Sequence, residues 1–424
     1  MSTTDVQPKP WALLAYTVAD DQSGGGSLDA SAKEELKALC DAADFGQVSI
    51  AAQVDFKHTK GVFRGSLTAK PPKSRGFEDV RAEDHPLWRK ILRNVKQSTL
   101  RIQVEHQDLN AAGSTVLEEF LGFGRRECPA ARHAIVFYGH AYGPMGLFYD
   151  RESTRHESHT LRLNDLAGAM QVADGRAAVV LFRDCFMNTL ETACQLAGVS
   201  EFMIASQSEV PIAGIWPWTH FMTALMPSAS SGDVAKALAT QLGHFLDEPA
   251  NRGPYPDVPI AAIDLGAVGT ITGPLKALAD ALDDARRDPA RSRACAQALE
   301  GARSGYSSKD HVRPGDPALL DVPTLCDSLQ ALGSDPVAGP AQALGEAVRT
   351  RLVTWKHSQQ GRYQGASIYY KPVTEKDLER SNIQAGDEAA AQSDADAYRM
   401  LAMNKETGWD RVALNPLAPS GGAA

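Results

Sequence analysis

The sequence contains little cysteine and no long apolar run. Six of its 424 residues are cysteine and none forms a CxxC pair, which predicts reduced thiols and no disulfide framework. No apolar run approaches the roughly 20 residues that a membrane-spanning helix needs, so we expect no membrane partner. Hydrophobic residues make up 43% of the chain and charged residues 22%, as in ordinary globular proteins.

The sequence also lacks an excess of positive charge and several ligand-binding motifs. Its net charge of -9 argues against a protein that binds nucleic acid through phosphates. The glycine-rich residues 24–27 lack the G-K-[ST] ending of a P-loop and the GxGxxG spacing of dinucleotide-binding loops. The beginning, MSTTDVQPKPWALLAY, has neither the basic nor the apolar region of a signal peptide. We therefore expect a cytoplasmic protein with no cofactor and no metal.

Strand-like and helical patterns alternate up to residue 206, which is typical of an α/β fold with a largely parallel sheet. The predicted strands lie at 11–18, 48–54, 61–67, 100–104, 134–138, 178–182, 202–205 and 259–265. Helical patterns dominate afterwards, including 289–303 and 340–353, before a β-prone run at 365–371. We expect a core over 10–265, a C-terminal helical subdomain over 266–414 that returns a strand to the sheet, and tails at 1–9 and 415–424.

Two residues suited to nucleophilic catalysis follow two of these apolar strands. His140 comes directly after AIVFYG, and Cys185 comes after AVVLFRD and before a helical pattern. Ligands of α/β folds bind at the carboxyl ends of the strands. A cysteine and a histidine at such positions indicate a nucleophile and its base.

Three segments resemble the clostripain-like cysteine peptidases, a family of the caspase-like clan. They are AIVFYGHAYG, VVLFRDCFMNTLETACQLAG and FMIASQSEVPIAGIWPW, in this order and spacing. Cys185, Glu191, Gly214 and Trp216 keep features of the family's pattern. The resemblance implies a caspase-like α/β/α sandwich with a mostly parallel central sheet. It also implies a cysteine endopeptidase that acts on proteins or peptides.

The resemblance assigns catalytic roles to individual residues. Cys185 would be the nucleophile, with a thiol pKa lowered by the following helix, and His140 the acid and base. The backbone N–H groups of Cys185 and Ala141 would bind the oxyanion. The family usually has glycine where Ala141 stands, and alanine requires ordinary backbone angles. Glu191 would either form a salt bridge within its helix or support the site.

The stretch between the two blocks is the expected activation segment. Residues 149–159, YDRESTRHESH, are charged and have no hydrophobic period. In the resembling family, proenzymes are cut in this region. Arg151 and Arg155 are the candidate cleavage residues, and the cut is made either in cis or by an upstream activating protease. Calcium dependence, known in some relatives, is left open, because no acidic loop has EF-hand spacing.

The expected substrate-binding residues are Arg183, Ser206, Glu209 and Trp216. In the resembling family, the residue two before the nucleophile lines the primary pocket and is usually aspartate, which suits a basic substrate side chain. Arg183 would instead repel a cation and bind a carboxylate. If Arg183 turns away or pairs with Asp184, an acid such as Glu209 would keep the basic preference. The sequence therefore predicts specificity for a charged residue, with its sign undecided.

Two other functions compete with a cysteine peptidase. A catalytically silent binding module could keep the same fold. A serine hydrolase of the α/β type would need a GxSxG elbow, and the sequence has none.

Overall fold

The computed structural model describes residues 8–19, 28–42, 48–56, 63–67, 80–81, 100–104, 110–148, 160–173, 175–212, 214–304, 318–370 and 388–417. These residues form a ten-stranded main sheet, a three-stranded small sheet and the helices around them. Among the described residues, no helix is long and apolar enough to cross a membrane.

Parallel strands form the centre of the main sheet. Its strand order is β12-β9-β8-β7-β6-β1-β2-β3-β5-β4. Neighbours from β8 through β2 are parallel, and the strands beyond them on both sides pair antiparallel. The strands are β1 (Lys9–Val18), β2 (Val48–Asp55), β3 (Phe63–Leu67), β4 (Val80–Arg81), β5 (Leu100–Val104), β6 (Ala130–Tyr138), β7 (Ala177–Arg183), β8 (Ser200–Ser206), β9 (Ile260–Asp264), β10 (Arg303–Ser304), β11 (Leu319–Asp321), β12 (Val353–His357) and β13 (Ser367–Tyr369).

Helices cover both faces of the main sheet. Several begin at capping residues: Thr189 accepts a hydrogen bond from the N–H of Thr192, and Asp288 caps the helix that starts at Pro289. The helices are α1 (Asp29–Ala42), α2 (Ser114–Glu127), α3 (Leu163–Val172), α4 (Leu190–Leu196), α5 (Trp218–Ala224), α6 (Ser231–Asp247), α7 (Pro249–Arg252), α8 (Gly269–Ala285), α9 (Pro289–Gly301), α10 (Val322–Gln330), α11 (Ala338–Ala347), α12 (Glu388–Arg399), α13 (Ala402–Thr407) and α14 (Asp410–Ala413).

Each face of the main sheet has its own apolar core. Successive side chains of β1 point to opposite faces, so Leu14 and Tyr16 pack in one core while Trp11 and Leu13 pack in the other. Helices α2, α3, α4 and α8 cover the first core, and α1, α5 and α6 cover the second. The apolar runs of the central strands follow from this burial on both faces.

The C-terminal part contributes to both sheets. The predicted helix at 340–353 is confirmed, since the chain is helical up to Leu352, and the chain then continues into β12, which pairs with β9 and was not predicted. The β-prone run at 365–371 instead supplies β13 to the small sheet, whose order is β10-β11-β13. Apolar residues before and after residue 265 pack in the same core, and the domain division at that residue stays a prediction.

Candidate active site

Strand register brings the predicted catalytic residues together. Tyr138 of β6 pairs with Arg183 of β7, and the two strands are parallel. His140 and Cys185 each follow two residues later, so they lie at matching positions beyond neighbouring strand ends. Neighbouring strands lie about 4.8 Å apart. The cysteine and the histidine therefore share the carboxyl edge of the sheet.

A sharp turn presents Cys185 at this edge. Phe186 has a φ of 61°, which is rare for a residue with a side chain, and it is buried. Its N–H donates to the carbonyl of Ser208 over 3.0 Å. The turn leaves the Cys185 side chain partly exposed, with its Sγ accepting a hydrogen bond from the N–H of Val210 at 3.3 Å.

A tight loop supports His140. The carbonyl of His140 accepts a hydrogen bond of 2.7 Å from the N–H of Phe148, and Ala141 forms a bridge with Leu147. A Cβ at Gly139 would lie 2.6 Å from the ring of Phe148, so only glycine fits there. Among the described residues, the non-glycine residues with positive φ are Phe148 and Phe186, so the alanine at 141 has ordinary backbone angles.

The carboxyl group of Asp184 is buried between these two loops. Burial raises its pKa well above the usual range, while the backbone N–H of Gly139 and the charge of Arg183 oppose that rise. A buried carboxyl group with a raised pKa favours its neutral form.

Arg183 forms an ion pair with Glu35 of α1, not with Asp184. Both side chains are almost fully buried, with 1% and 6% of their surface exposed. The Nη2 of Arg183 also donates to the carbonyls of Gly214 and Ile212, at 3.0 and 3.4 Å. Sequence patterns missed Glu35, because its partner lies far away in the chain.

Trp216 lies in the same cluster. Its N–H donates to Glu35 over 2.9 Å, and the indole N–H of Trp218 donates to the other carboxylate oxygen. The guanidinium of Arg183 lies over the ring of Tyr138 at 4.4 Å and over that of Trp216 at 5.2 Å. Such contacts suit a planar cation. Arg183 and Trp216 are thus neighbours, as expected of residues near one pocket.

Ser206 and Glu209 lie around the end of β8, the strand next to β7. Ser206 is fully buried, and its Oγ accepts a hydrogen bond of 3.1 Å from the N–H of Ser208. Glu209 is 9% exposed and lies near Tyr363, whose pKa is raised mainly by burial and also by Glu209. The substrate-binding roles of Arg183, Ser206, Glu209 and Trp216 stay predictions.

Glu191 connects α4 to the C-terminal part. Its Oε1 accepts hydrogen bonds from the N–H of Tyr369 at 2.9 Å and the hydroxyl of Tyr398 at 2.7 Å. The carboxyl group is fully buried, and burial raises its pKa. Neither of these contacts is a salt bridge within the helix. Glu191 therefore holds the helix behind the nucleophile against β13 and α12.

The other cysteines lie in environments that suppress the thiolate. Burial raises the pKa of Cys40, Cys128 and Cys326 to about 12 and that of Cys295 to about 11. The pKa of Cys194 is also raised by burial. Reactivity requires the thiolate, so these five thiols are poor nucleophiles near neutral pH.

The predicted activation segment lies outside the described residues, and with it Arg151 and Arg155. Its two ends are described: Leu147 and Leu161 exchange two backbone hydrogen bonds of 2.9 Å, and both side chains are buried. In the described part of the chain, no group of three or more His, Cys, Asp or Glu side chains could hold a metal ion.

The comparison with protein families identifies the class of this protein, which is a cysteine peptidase. The model of the clostripain family, peptidase family C11, matches residues 88–330, which is more than half of the chain. The chain therefore belongs to the clostripain family. No curated protein matches it.

Solved structures of C11 proteases share the fold. An inactive zymogen C11 protease from Parabacteroides distasonis has 15% identity and a TM-score of 0.60, over 94% of this chain and 98% of that chain. A secreted C11 cysteine protease from Bacteroides thetaiotaomicron, in complex with an irreversible peptide inhibitor, has 16% identity and a TM-score of 0.59, over 95% and 99%. The secreted C11 protease "iotapain" from the same organism has 15% identity and a TM-score of 0.61, over 94% and 99%. The expected caspase-like sandwich with a helical C-terminal part is confirmed.

Proposed function

We propose that this cysteine peptidase is an endopeptidase that cleaves peptide bonds with a dyad of Cys185 and His140. The observation that carries the proposal is the register of β6 and β7, which brings the two residues to one sheet edge. Cys185 is also partly exposed, and the other thiols have pKa values raised by burial.

The dyad would act in two steps. The Cys185 thiolate attacks the carbonyl carbon of the scissile bond, and the N–H groups of Cys185 and Ala141 bind the oxyanion. His140 gives its proton to the leaving amine as the C–N bond breaks, which leaves an acyl-enzyme. A water molecule then gives a proton to His140 and attacks the acyl carbon, which releases the acid and restores the thiolate.

Labelling and substitution test the dyad together. A peptide chloromethyl ketone, followed by peptide mapping, should modify Cys185 in preference to the other five cysteines. Cys185→Ala and His140→Ala should each lower kcat/KM by at least about 10³-fold. Cys194→Ala is the matched control, since Cys194 is also partly exposed, and it should keep the activity. Labelling spread evenly over the cysteines would contradict the dyad and favour a silent binding module.

We also propose that the chain is made as a proenzyme and is cut within residues 149–159, at Arg151 or Arg155. Two contacts of the uncut chain support this. The segment leaves and re-enters the fold through the Leu147–Leu161 bridge, beside the loop of His140. The backbone of Val210 contacts the sulfur of Cys185, so a change in this part of the chain after cleavage would alter the environment of the nucleophile.

Mass spectrometry of the purified chain tests activation. A cut in the wild type that is missing in Cys185→Ala indicates self-cleavage, and a cut in both indicates an upstream protease. Replacing both Arg151 and Arg155 by alanine should keep the chain whole and inactive. Full activity of an uncut chain would contradict the proenzyme.

A cytoplasmic location is a further part of the proposal. It is supported by the six cysteines, all of which are free. Reduced thiols are typical of the cytosol. Cell fractionation with an antibody against the chain tests this, and recovery from the medium would contradict it.

A further inference from the structure

The buried pair of Arg183 and Glu35 lies next to the nucleophile. Arg183 is the last residue of β7 and lies two residues before Cys185; its side chain points to the face covered by α1, and Cys185 packs against the apolar core of that face. On this face Tyr138, the register partner of Arg183, contacts the guanidinium with its ring. A substrate side chain that enters the protein beside Cys185, on the face covered by α1, therefore approaches this buried ion pair.

The two charges of the pair compensate each other within the protein, and of the guanidinium nitrogens the buried Nε of Arg183 makes no hydrogen bond to a described residue. Arg183 contacts Glu35 through Nη1 and two backbone carbonyls through Nη2. Glu35 accepts hydrogen bonds from Trp216 and Trp218 in addition to its ion pair. Each charge therefore has its counter-ion and further hydrogen bonds, which is what a buried ion pair requires.

There is little room beside the pair for another charged group. The cavity between α1 and the sheet, lined by Glu35, Tyr138, Arg183 and Trp218 among others, measures about 20 Å³. Such a volume holds no more than a single water molecule. Arg183 donates hydrogen bonds to the carbonyls of Ile212 and Gly214. Two apolar side chains near these carbonyls, those of Ile212 and Ile215, are exposed at the surface, by 36% and 45%.

We propose that Glu35 is a specificity-determining residue, which neutralises Arg183 and makes the enzyme prefer an uncharged residue before the scissile bond. The inference rests on the peptidase function proposed above. A substrate carboxylate gains a partner only by displacing Glu35, and a substrate cation only by displacing Arg183. Either exchange leaves one buried charge without its counter-ion. An uncharged side chain leaves the pair intact.

The proposal predicts opposite changes when each partner is neutralised. Glu35→Gln frees the guanidinium, so the ratio of kcat/KM for Glu over Leu peptides should rise at least about tenfold. Arg183→Gln frees the carboxylate, so the same ratio for Arg over Leu peptides should rise by a similar factor. The double variant has no charge and should keep the wild-type preference. Glu34→Gln, on the exposed side of α1, is the matched control.

A fluorogenic peptide panel tests the proposal. The peptides differ only in the residue before the scissile bond (Leu, Gln, Glu, Asp, Arg or Lys), and both intact and proteolytically nicked enzyme are used. A tenfold wild-type preference for either charge would overturn the role of Glu35, whether or not the single variants fold. Cleavage of no peptide, together with no preferential labelling of Cys185, would instead overturn the peptidase function itself.

Discussion

The two ends of the segment from Arg183 to Glu191 keep buried charges stable in different ways. At the first end, Arg183 is compensated by Glu35, and each partner also has hydrogen bonds. At the other end, the carboxyl group of Glu191 has two hydrogen-bond donors, and burial raises its pKa. A buried acid is thus held either by a counter-ion or by a shift toward its neutral form. The ion pair lies beside Cys185, and the carboxyl group of Glu191 lies where α4 meets the C-terminal part.

Breaking the ion pair should have the largest effect on stability. We expect Glu35→Ala to lower the free energy of unfolding by about 3 to 5 kcal/mol, because Arg183 would stay buried without its counter-ion. Urea unfolding at neutral pH measures this. The combined Glu35→Leu and Arg183→Met variant should lose much less, since no charge is left unpaired. Equal losses in the single and combined variants would contradict a specific pair.

Truncating Glu191 should have the next largest effect. Glu191→Ala leaves the N–H of Tyr369 and the hydroxyl of Tyr398 without their acceptor, which should cost about 2 to 3 kcal/mol. Glu191→Gln keeps a carbonyl acceptor and should cost clearly less. The same urea titration separates the two variants. Equal losses would show that the carboxylate charge, and not the acceptor, holds the C-terminal part.

Removing one donor to Glu191 should have a smaller effect. Tyr398→Phe keeps the buried ring and deletes one hydrogen bond of 2.7 Å, so the free energy of unfolding should fall by about 1 to 2 kcal/mol. In the Glu191→Ala background, where the acceptor is already absent, the same substitution should cost less, because the two groups are coupled. A double-mutant cycle measures this coupling, and additive losses would contradict it.

The pH dependence of stability tests a third buried acid, Asp184, whose pKa is raised as that of Glu191 is. The pKa of Asp184 is raised on folding, so the folded state holds more protons than the unfolded state above the unfolded pKa of about 4. This contribution to stability is complete below that pH and is lost as the pH rises through the folded pKa. Asp184→Asn should therefore gain stability relative to wild type as the pH increases. Unfolding at pH 5 and pH 8 tests this, with Asp165→Asn as the exposed control. A constant difference would contradict a raised pKa.

Cleavage in the activation segment should break the chain into two fragments that stay bound to each other. β6 and β7 lie on either side of the cut and pair over five residues, and helices from both parts share one core. The two fragments should therefore elute together at the volume of the uncut chain in size-exclusion chromatography under native conditions. Separation of the fragments would show that the sheet alone cannot hold them.

Local patterns were sufficient for the central strands and for the positions of Cys185 and His140. Runs such as AIVFY and AVVLF are buried on both faces of a sheet, and that burial itself selects a continuous apolar run. Local patterns did not predict β12 (Val353–His357), which begins where the correctly predicted helical stretch at 340–353 ends. Pairing with β9 decides that strand, and such pairing depends on contacts far away in the chain.

The sequence by itself determined the central strands, the sheet edge that carries His140 and Cys185, and the family, because these depend on the periodicity and order of neighbouring residues. Only the tertiary structure decided the partners of the buried charges. Arg183 and Glu35 belong to different elements, and Glu191 finds Tyr398 on a helix near the end of the chain. A buried charge must be compensated, but which distant group does so depends on how the helices pack on the sheet.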